Sequence, residues 1–480
     1  MDDVRGIAAR VLLASFDGPT LPGWARRRLE QGLGGICLYG TNIVDRPQIA
    51  ALNRAVHEAN PRAITSLDEE GGDVTRLYYL EGSPHAGHAV LGRVDDVDLT
   101  RAVAADVGTQ LLEHGVDLDL GPVADVNSTP DNPVIGVRSF GADPVLVGRH
   151  VAAWVEGVQS AGSGACLKHF PGHGDTTADS HLALPTVDQP MSVLRARELA
   201  PFASGIRAGA LAVMTSHVVL PAVEPDVPAT FSAAATRLLR DELGFDGLLV
   251  SDALDMVGAS GGRGIPAAAV LALKAGVDLL CLGSSFTDER VQDVQDAIVA
   301  AVDAGDLPRE RLVEAAGRVD RAVEQVAALR AASTSAPQPE ASRRAALEAV
   351  DGALGLDRSL RGAQVLRLVT GTNEAVGHAP WGLPAAGLVL GGTPVRDVVR
   401  GDEPWHDLGP EPVVVLVRDG HRHAWAEQVI EQVLRRRPDA VVVEMGWPAQ
   451  DPSEQGRLRT WGASAASSAA LDELLAGVAP

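Results

Sequence analysis

Eight short apolar runs recur along the first part of the chain: "GIAARVLLASF", "GGICLYG", "AITSLD", "VDLDLGPV", "GACLKHF", "LAVMTSHV", "GLLVSDAL" and "GVDLLCLG". Most are separated by stretches whose apolar residues repeat at helical spacing, such as "RPQIAALNRAVHEA" and "VLVGRHVAAWVEGVQSAG". No other feature restricts the fold as strongly. Eight strands alternating with helices over about 285 residues match a (β/α)8 TIM-type barrel in count and length. Alternation alone also permits an open doubly wound sheet. The barrel is favoured because polar residues recur where strand runs end, and parallel strands in a barrel share one mouth.

The barrel reading takes in residues 1–332, with "LPRERLVEAAGRVDRAVEQVAALRAA" as the helix that closes it. "STSAPQPEAS" is small, polar and twice interrupted by proline, so 333–344 reads as a linker. Residues 345–480 carry the strand runs "VLRLVT", "AGLVLGG", "PVVVLVRDG" and "DAVVVEMG", with the helical "AWAEQVIEQVLRRR" between the last two. They read as a smaller open-sheet α/β sandwich domain. Its "GTNE" and "GHRHAW" could reach a ligand, but packing explains them better.

At 480 residues, 46% apolar and 22% charged, the composition is that of a soluble globular protein with a large core. No apolar run approaches the roughly eighteen residues of a membrane span. The opening "MDDVRGIAARVLLASFDG" has two aspartates where a secretory leader would be positive, so a cytoplasmic location is expected. A formal charge of −22 opposes binding to nucleic acid and anionic membrane. Nothing calls for an obligate protein partner. Cys37, Cys166 and Cys281 each lie in an apolar run and read as buried thiols.

One compositional bias is informative. The chain has 39 arginines but two lysines, Lys168 and Lys274. Lysine offers a compact ammonium where a planar guanidinium would not fit. Lys274 precedes Gly276 at a helix end, an adequate structural reason. Lys168 opens "KHFPGHGDTTADSHLALP", a segment dense in histidine and too broken for a regular helix. Three explanations compete for it: a metal site, a proton-transfer loop, or a polar surface loop.

The strand ends narrow the choice. The runs end in Asp68-Glu69-Glu70-Gly71-Gly72, Lys168-His169, Ser216-His217 and Ser251-Asp252, which a barrel would bring to one mouth. Carboxylates that accept and cations that donate around one pocket suit a polyhydroxylated ligand. Asp252, at the end of the uncharged run "GLLVS", could attack a sugar's anomeric carbon. Asp255 reads as a turn residue. "ADSH" sets Asp179 two residues before His181, close enough for a carboxylate to orient and charge an imidazole. His169, His173, Asp179 and His181 could also bind zinc, but no H-E-x-x-H helix or cysteine pair frames them.

With those residues in view, "KHFPGHGDTTADSHLALP" resembles the hallmark of glycoside hydrolase family 3, in its NagZ-like β-N-acetylhexosaminidase branch. "GLGGICLYGTNI", "LDEEGGDVTRL", "GPVADVN", "NPVIGVRSFGADP", "VMTSHVVLPAV", "PATFS" and "FDGLLVSDALDM" agree, in order, over roughly residues 5–330. The segment after the linker is similar to the second domain of two-domain bacterial members. The resemblance implies a retaining mechanism through a covalent glycosyl-aspartate. It implies Asp252 as nucleophile and His181 as acid/base assisted by Asp179. It also implies Asp68, Arg76, Arg138, Lys168 and His169 as sugar-binding residues. No cofactor and no metal are expected. After "EEGG" the branch often shows a basic residue where this chain has Asp73, a departure that bears on the aglycone.

The expected activity is an exo-acting β-N-acetylglucosaminidase that acts on small glycosides, wall fragments or chitooligosaccharides. Aromatic residues are 4% of the chain and five of seven tryptophans follow residue 380, which suits a one-sugar pocket better than a polymer cleft. A phosphorylase that resolves the intermediate with phosphate is the alternative within the same chemistry. A metal-dependent barrel hydrolase and a non-catalytic sugar-binding protein are the alternatives of other classes.

Overall fold

The computed structural model describes residues 3–176, 184–333, 337–352, 360–371, 375–383, 390, 395–449 and 457–477. The eight apolar runs each yield a strand: β1 (Leu12–Ala14), β2 (Gly35–Cys37), β3 (Ile64–Leu67), β4 (Leu118–Asp119), β5 (Gly164–Phe170), β6 (Ala212–Thr215), β7 (Leu248–Val250) and β8 (Leu280–Cys281). They are ordered 7-6-5-4-3-2-1-8, every pairing parallel. A parallel bridge from Val250 to Leu279 brings β7 against the start of β8 and closes the barrel. The open-sheet alternative is thereby removed.

Period-two alternation sorts the strand residues into two cores. Leu13, Cys37, Ile64, Leu118, Cys166, Ala212, Leu248 and Cys281 pack together inside the barrel. Leu12, Ile36, Leu67, Leu167, Val213 and Leu280 face outward with helix residues such as Val103, Val151 and Trp154. All three cysteines are buried, unbonded thiols. The helices start where the sequence provides caps. Asp45 accepts from Gln48 N at 2.8 Å at the head of Arg46–Ala59, and Asp143 accepts from Val145 and Leu146 at the head of Pro144–Ser160. The first run needs correction. Its leading half is a helix, Val4–Arg10, which lays Ala8 and Ala9 on the core, and only Leu12–Ala14 is strand.

The second unit is a parallel sheet of β9 (Gln364–Leu368), β10 (Val395–Val398), β11 (Val413–Val417), β12 (Val441–Glu444) and β13 (Leu458–Arg459), ordered 10-9-11-12-13. Helix Ala424–Arg436 covers one face, over Leu366, Val415 and Val442. Helix Ala465–Leu475 covers the other, over Val365, Leu416 and Val443. β10 and β13 escaped the sequence reading because β10 is an edge strand with exposed Arg396 and Asp397, and β13 has two residues. The run "AGLVLGG" falls on 386–392, of which only 390 lies among the described residues. A helix, Pro339–Ala349, begins inside the stretch read as a linker; it buries Ala345, Ala346 and Ala349 against helices of both units. Proline and small residues signalled a break in the sequence. Here the proline occupies the first turn of a helix and the alanines permit close packing. Among the described residues, no helix is long and apolar enough to cross a membrane.

Candidate active site

The strands' C-terminal ends open on a cavity of about 350 Å³ whose walls include Asp68, Arg76, Arg138, Lys168, His169 and Asp252. A larger hollow, about 560 Å³, lies at the N-terminal ends of β6 and β7, lined by residues such as Leu211, Gly247 and Arg318. Position decides between them, since barrel enzymes build their sites at the C-terminal face. All five expected sugar-binding residues and the expected nucleophile meet in the smaller cavity. Asp179 and His181 lie outside the described residues.

Lys168 is 1% exposed, with Nζ 2.7 Å from both Asp68 Oδ1 and Glu70 Oε1. Burial works against its charge, but Asp68 and Glu70 outweigh burial and hold the ammonium above its ordinary value. A point charge satisfies two converging carboxylates here, which a planar fork would do poorly. This accounts for lysine in a chain otherwise built on arginine. Glu70 also receives a bidentate pair from Arg138, Nε to Oε2 at 2.9 Å and Nη2 to Oε1 at 2.8 Å. Against the cost of burial, Arg138 and Lys168 hold Glu70 well below the usual carboxylate range. Asp68 is lowered as well, with burial opposed by Lys168 and Arg76; Arg76 Nη2 lies 3.3 Å from Asp68 Oδ2. The result is a rigid alternation of fixed charges, suited to adjacent hydroxyls that both donate and accept.

His169 is oriented by Asp125, a residue the sequence reading did not single out. Asp125 Oδ2 lies 2.7 Å from His169 Nδ1, which turns Nε2 toward Arg138 at 3.4 Å. Asp125 also accepts the backbone N–H of His173 at 2.8 Å. Burial opposes its ionisation, but His169 holds Asp125 below its ordinary value. Its signal was present as the polar residue after "GPVA", at the same barrel end as the others. The Lys168–His169 and Phe170–Pro171 peptide bonds are cis. His173 lines the cavity, and burial pushes its ring down to about 4.

Asp252 follows β7, and its Oδ1 accepts the N–H of Ala253 at 2.8 Å. Asp255 also reaches the cavity wall, where it accepts Ser284 N at 2.8 Å; burial raises its carboxyl. The expectation that Ser216 and His217 face the mouth is corrected. Ser216 Oγ donates to the Phe170 carbonyl at 3.0 Å, and His217 Nε2 donates to the Ala253 carbonyl at 3.0 Å. Carbonyls at a buried strand end need donors, and these two side chains supply them. His217 thus supports the backbone beside Asp252 without lining the cavity. Nor does Asp73 line it: its carboxylate is buried against the second unit. Ala375, from that unit, does line it. Of "GTNE", 372–374 lie outside the described residues; in "GHRHAW", Arg422 and His423 line a separate crevice of about 240 Å³.

Glu69 is a further buried carboxyl beside the cavity. Its Oε2 accepts Thr75 Oγ1 at 2.8 Å and the N–H groups of Arg76 and Leu77 at 3.0 Å each, while Oε1 has no partner among the described residues. Burial pushes Glu69 up to about 7. A carboxyl raised on folding stabilises below its unfolded pKa and loses that contribution as pH rises through the folded value. Glu69→Gln keeps the accepting oxygen and cannot ionise. Between pH 5 and pH 8 it is expected to gain on the wild type by roughly 2–3 kcal/mol, as read by urea denaturation. A difference that stays flat with pH would refute the assignment.

The chain is similar to known proteins in sequence and in fold. Residues 26–322 match the glycosyl hydrolase family 3 N-terminal domain. The chain is 33% identical over 314 residues to Beta-hexosaminidase A of Pseudoalteromonas piscicida, an overlap of 60% of this chain and 52% of that protein. It therefore spans about half the length of that relative. It is 38% identical over 280 residues to a Beta-hexosaminidase of Neisseria meningitidis serogroup C, covering 56% of this chain and 76% of the relative. The solved structure of a glycoside hydrolase family 3 beta-N-acetylglucosaminidase from Paenibacillus sp. str. FPU-7 is similar over 98% of this chain and 96% of that one, with a TM-score of 0.86 and 30% identity.

Proposed function

The chain belongs to glycosyl hydrolase family 3, and on that premise we propose that it is an exo-acting, retaining β-N-acetylglucosaminidase. The observation that carries this reading is the closed set of charges around Asp252, in a cavity of about 350 Å³. That size lies near the lower end of small-molecule pockets, roughly 300–1,000 Å³, and suits one terminal sugar. Asp68, Arg76, Arg138, Lys168 and His169 grip its hydroxyls. Asp252 Oδ forms a bond to the anomeric carbon as the glycosidic C–O bond breaks, and His181 protonates the departing oxygen. His181 then takes a proton from water, which displaces the aspartate with net retention. Asp179 orients the imidazole and favours its charged form. Both roles are what the family resemblance of the segment around "ADSH" implies. The substrates are small glycosides, wall fragments or chitooligosaccharides, and the reading extends to peptidoglycan recycling in the cytoplasm.

Aryl β-glycosides test the proposal. The N-acetylglucosaminide is expected to exceed the glucoside in kcat/KM by roughly 10²-fold or more, because a site built to bond a substrate group discriminates against its absence. Inorganic phosphate should leave the rate and the free-sugar product unchanged. Comparable specificity constants for the two glycosides would overturn the sugar assignment, and sugar phosphate as product would replace hydrolysis with phosphorolysis.

A further inference from the structure

We propose that the buried Asp73–Arg418 ion pair positions Arg76 for sugar binding, acting through the loop that follows β9. The inference rests on the sugar-binding reading of the cavity. It assigns a role to the second unit and to the residue at which this chain departs from the branch's basic pattern.

The loop after β3 turns through Gly71 and Gly72, both in the left-handed region (φ 66° and 59°). It presents Asp68 and Arg76 to the cavity and Asp73 to the second unit. Asp73 accepts Ala463 N at 2.7 Å on Oδ1 and Arg418 Nη1 at 3.4 Å on Oδ2. Both side chains of the pair are almost fully buried, at 3% and 5% exposure. Arg418, at the end of β11, also donates from Nη2 to the Gly371 carbonyl at 3.0 Å, and its own carbonyl accepts Thr370 Oγ1 at 2.8 Å. Its guanidinium stands 4.8 Å over the Trp381 ring. Arg418 therefore holds the end of β9 and the start of the loop beyond it.

Ala375, four residues on in the chain from Gly371, contacts the barrel. The Ala375 carbonyl accepts Arg76 Nη2 at 2.9 Å, the same nitrogen that faces Asp68. His378 N donates to Tyr79 Oη at 3.0 Å. Gly377 lies at φ 64°, where a Cβ would stand 2.7 Å from Tyr79 Oη, so only glycine permits this approach. The contacts form a circuit: Asp73 to Arg418, Arg418 to Gly371, Ala375 to Arg76, and Arg76 back to the loop that carries Asp73. Arg76 lines the cavity with its guanidinium held at Nη2 by Asp68 and Ala375 and at Nη1 by the Thr75 carbonyl, 3.4 Å away. Where the guanidinium meets a sugar oxygen follows from where Ala375 holds Nη2, because a guanidinium is planar and moves as one piece. Displacements of about 1 Å at such a contact cost up to about 10²-fold.

A purely structural role, holding the two units together, would affect folding but would be indifferent to Arg76. A double-mutant cycle separates the two cases. Kinetics with aryl N-acetyl-β-glucosaminide are compared for wild type, Arg418→Met, Arg76→Lys and the double variant. Arg418→Met is expected to raise KM about tenfold with kcat within about twofold, the sign of lost binding common to ground and transition states. In the Arg76→Lys background the same change should add less than about twofold. Because Arg418→Met strands a buried carboxylate and could impair folding, Asp73→Asn/Arg418→Met removes both charges; it should fold and still show the raised KM, since Gly371 has lost its donor. Multiplicative KM effects in the cycle, or an unchanged KM in the folded charge-free pair, would overturn the inference while leaving the activity intact. A wild-type protein that cleaves no aryl β-glycoside would overturn both.

Discussion

Asp252→Ala is expected to abolish turnover of every glycoside, whatever its leaving group, with kcat reduced by roughly 10⁴-fold or more, as for loss of a nucleophile elsewhere. The expectation follows from how the site distributes its carboxylates. Asp68 and Glu70 are committed to Lys168, Arg76 and Arg138. Asp255 is bonded to Ser284 and raised by burial. Asp252 instead stands on a braced backbone. The Ala253 carbonyl receives His217, Ser251 N donates to Leu279 O at 2.9 Å, and Ser251 Oγ accepts Cys281 N at 3.0 Å. Among the described residues, the other carboxylates of the cavity wall are thus already engaged. A small external nucleophile such as azide should restore cleavage of a dinitrophenyl glycoside in Asp252→Ala and yield a glycosyl azide of inverted configuration. Residual activity of a few per cent without azide, from pure and folded protein, would remove Asp252 from the nucleophile's role.

His181→Ala separates proton transfer from bond formation. General acid catalysis contributes roughly 10²–10⁴-fold, and only where the departing oxygen needs a proton. Cleavage of a disaccharide or methylumbelliferyl-type glycoside should fall by about that factor, whereas glycosylation with a dinitrophenyl leaving group should be spared. If, as proposed, the same imidazole later activates water, the covalent intermediate is expected to accumulate and lower both kcat and apparent KM. Pre-steady-state kinetics would show a burst followed by slow turnover. Asp179→Ala should give a weaker version of the same pattern, since its proposed role is to orient and charge the ring without carrying the proton. Equal slowing for good and poor leaving groups would turn the loop into a sugar-binding element.

Much of the site was legible in sequence because its residues announce themselves locally. A polar residue directly after an uncharged strand run can only lie at the strand's end, and in a parallel barrel the strand ends converge. Asp68, Lys168, His169 and Asp252 were found in this way, and the cavity contains all four. Asp125 escaped that rule, because its run, "VDLDLGPV", carries two aspartates and Ala124 intervenes. The rule misplaced Ser216 and His217, because a strand-end side chain can turn sideways to satisfy a neighbouring carbonyl. Alternating polarity also missed β10, whose exposed edge residues resemble a loop.

What the sequence determined by itself is therefore the strand count, the alternation with helices, and the set of ionisable groups at the strand ends. These follow from side-chain period and strand direction, which are properties of a few consecutive residues. Closure of the barrel was settled by the bridge from Val250 to Leu279. The partners of those groups were decided only by tertiary structure. Lys168 meets Asp68 across 100 positions of chain, and Arg418 meets Asp73 across 345. An ion pair at such separations leaves no mark in local pattern, since it depends on barrel closure and on the docking of a second sheet. Glu70 accordingly read as one more acid in "DEEGG", and folding made it the shared counter-charge of Lys168 and Arg138. Asp73 read as a departure beside the sugar site, and folding turned it away from the cavity and into the seam between the two units, where burial made its pairing with Arg418 a structural necessity.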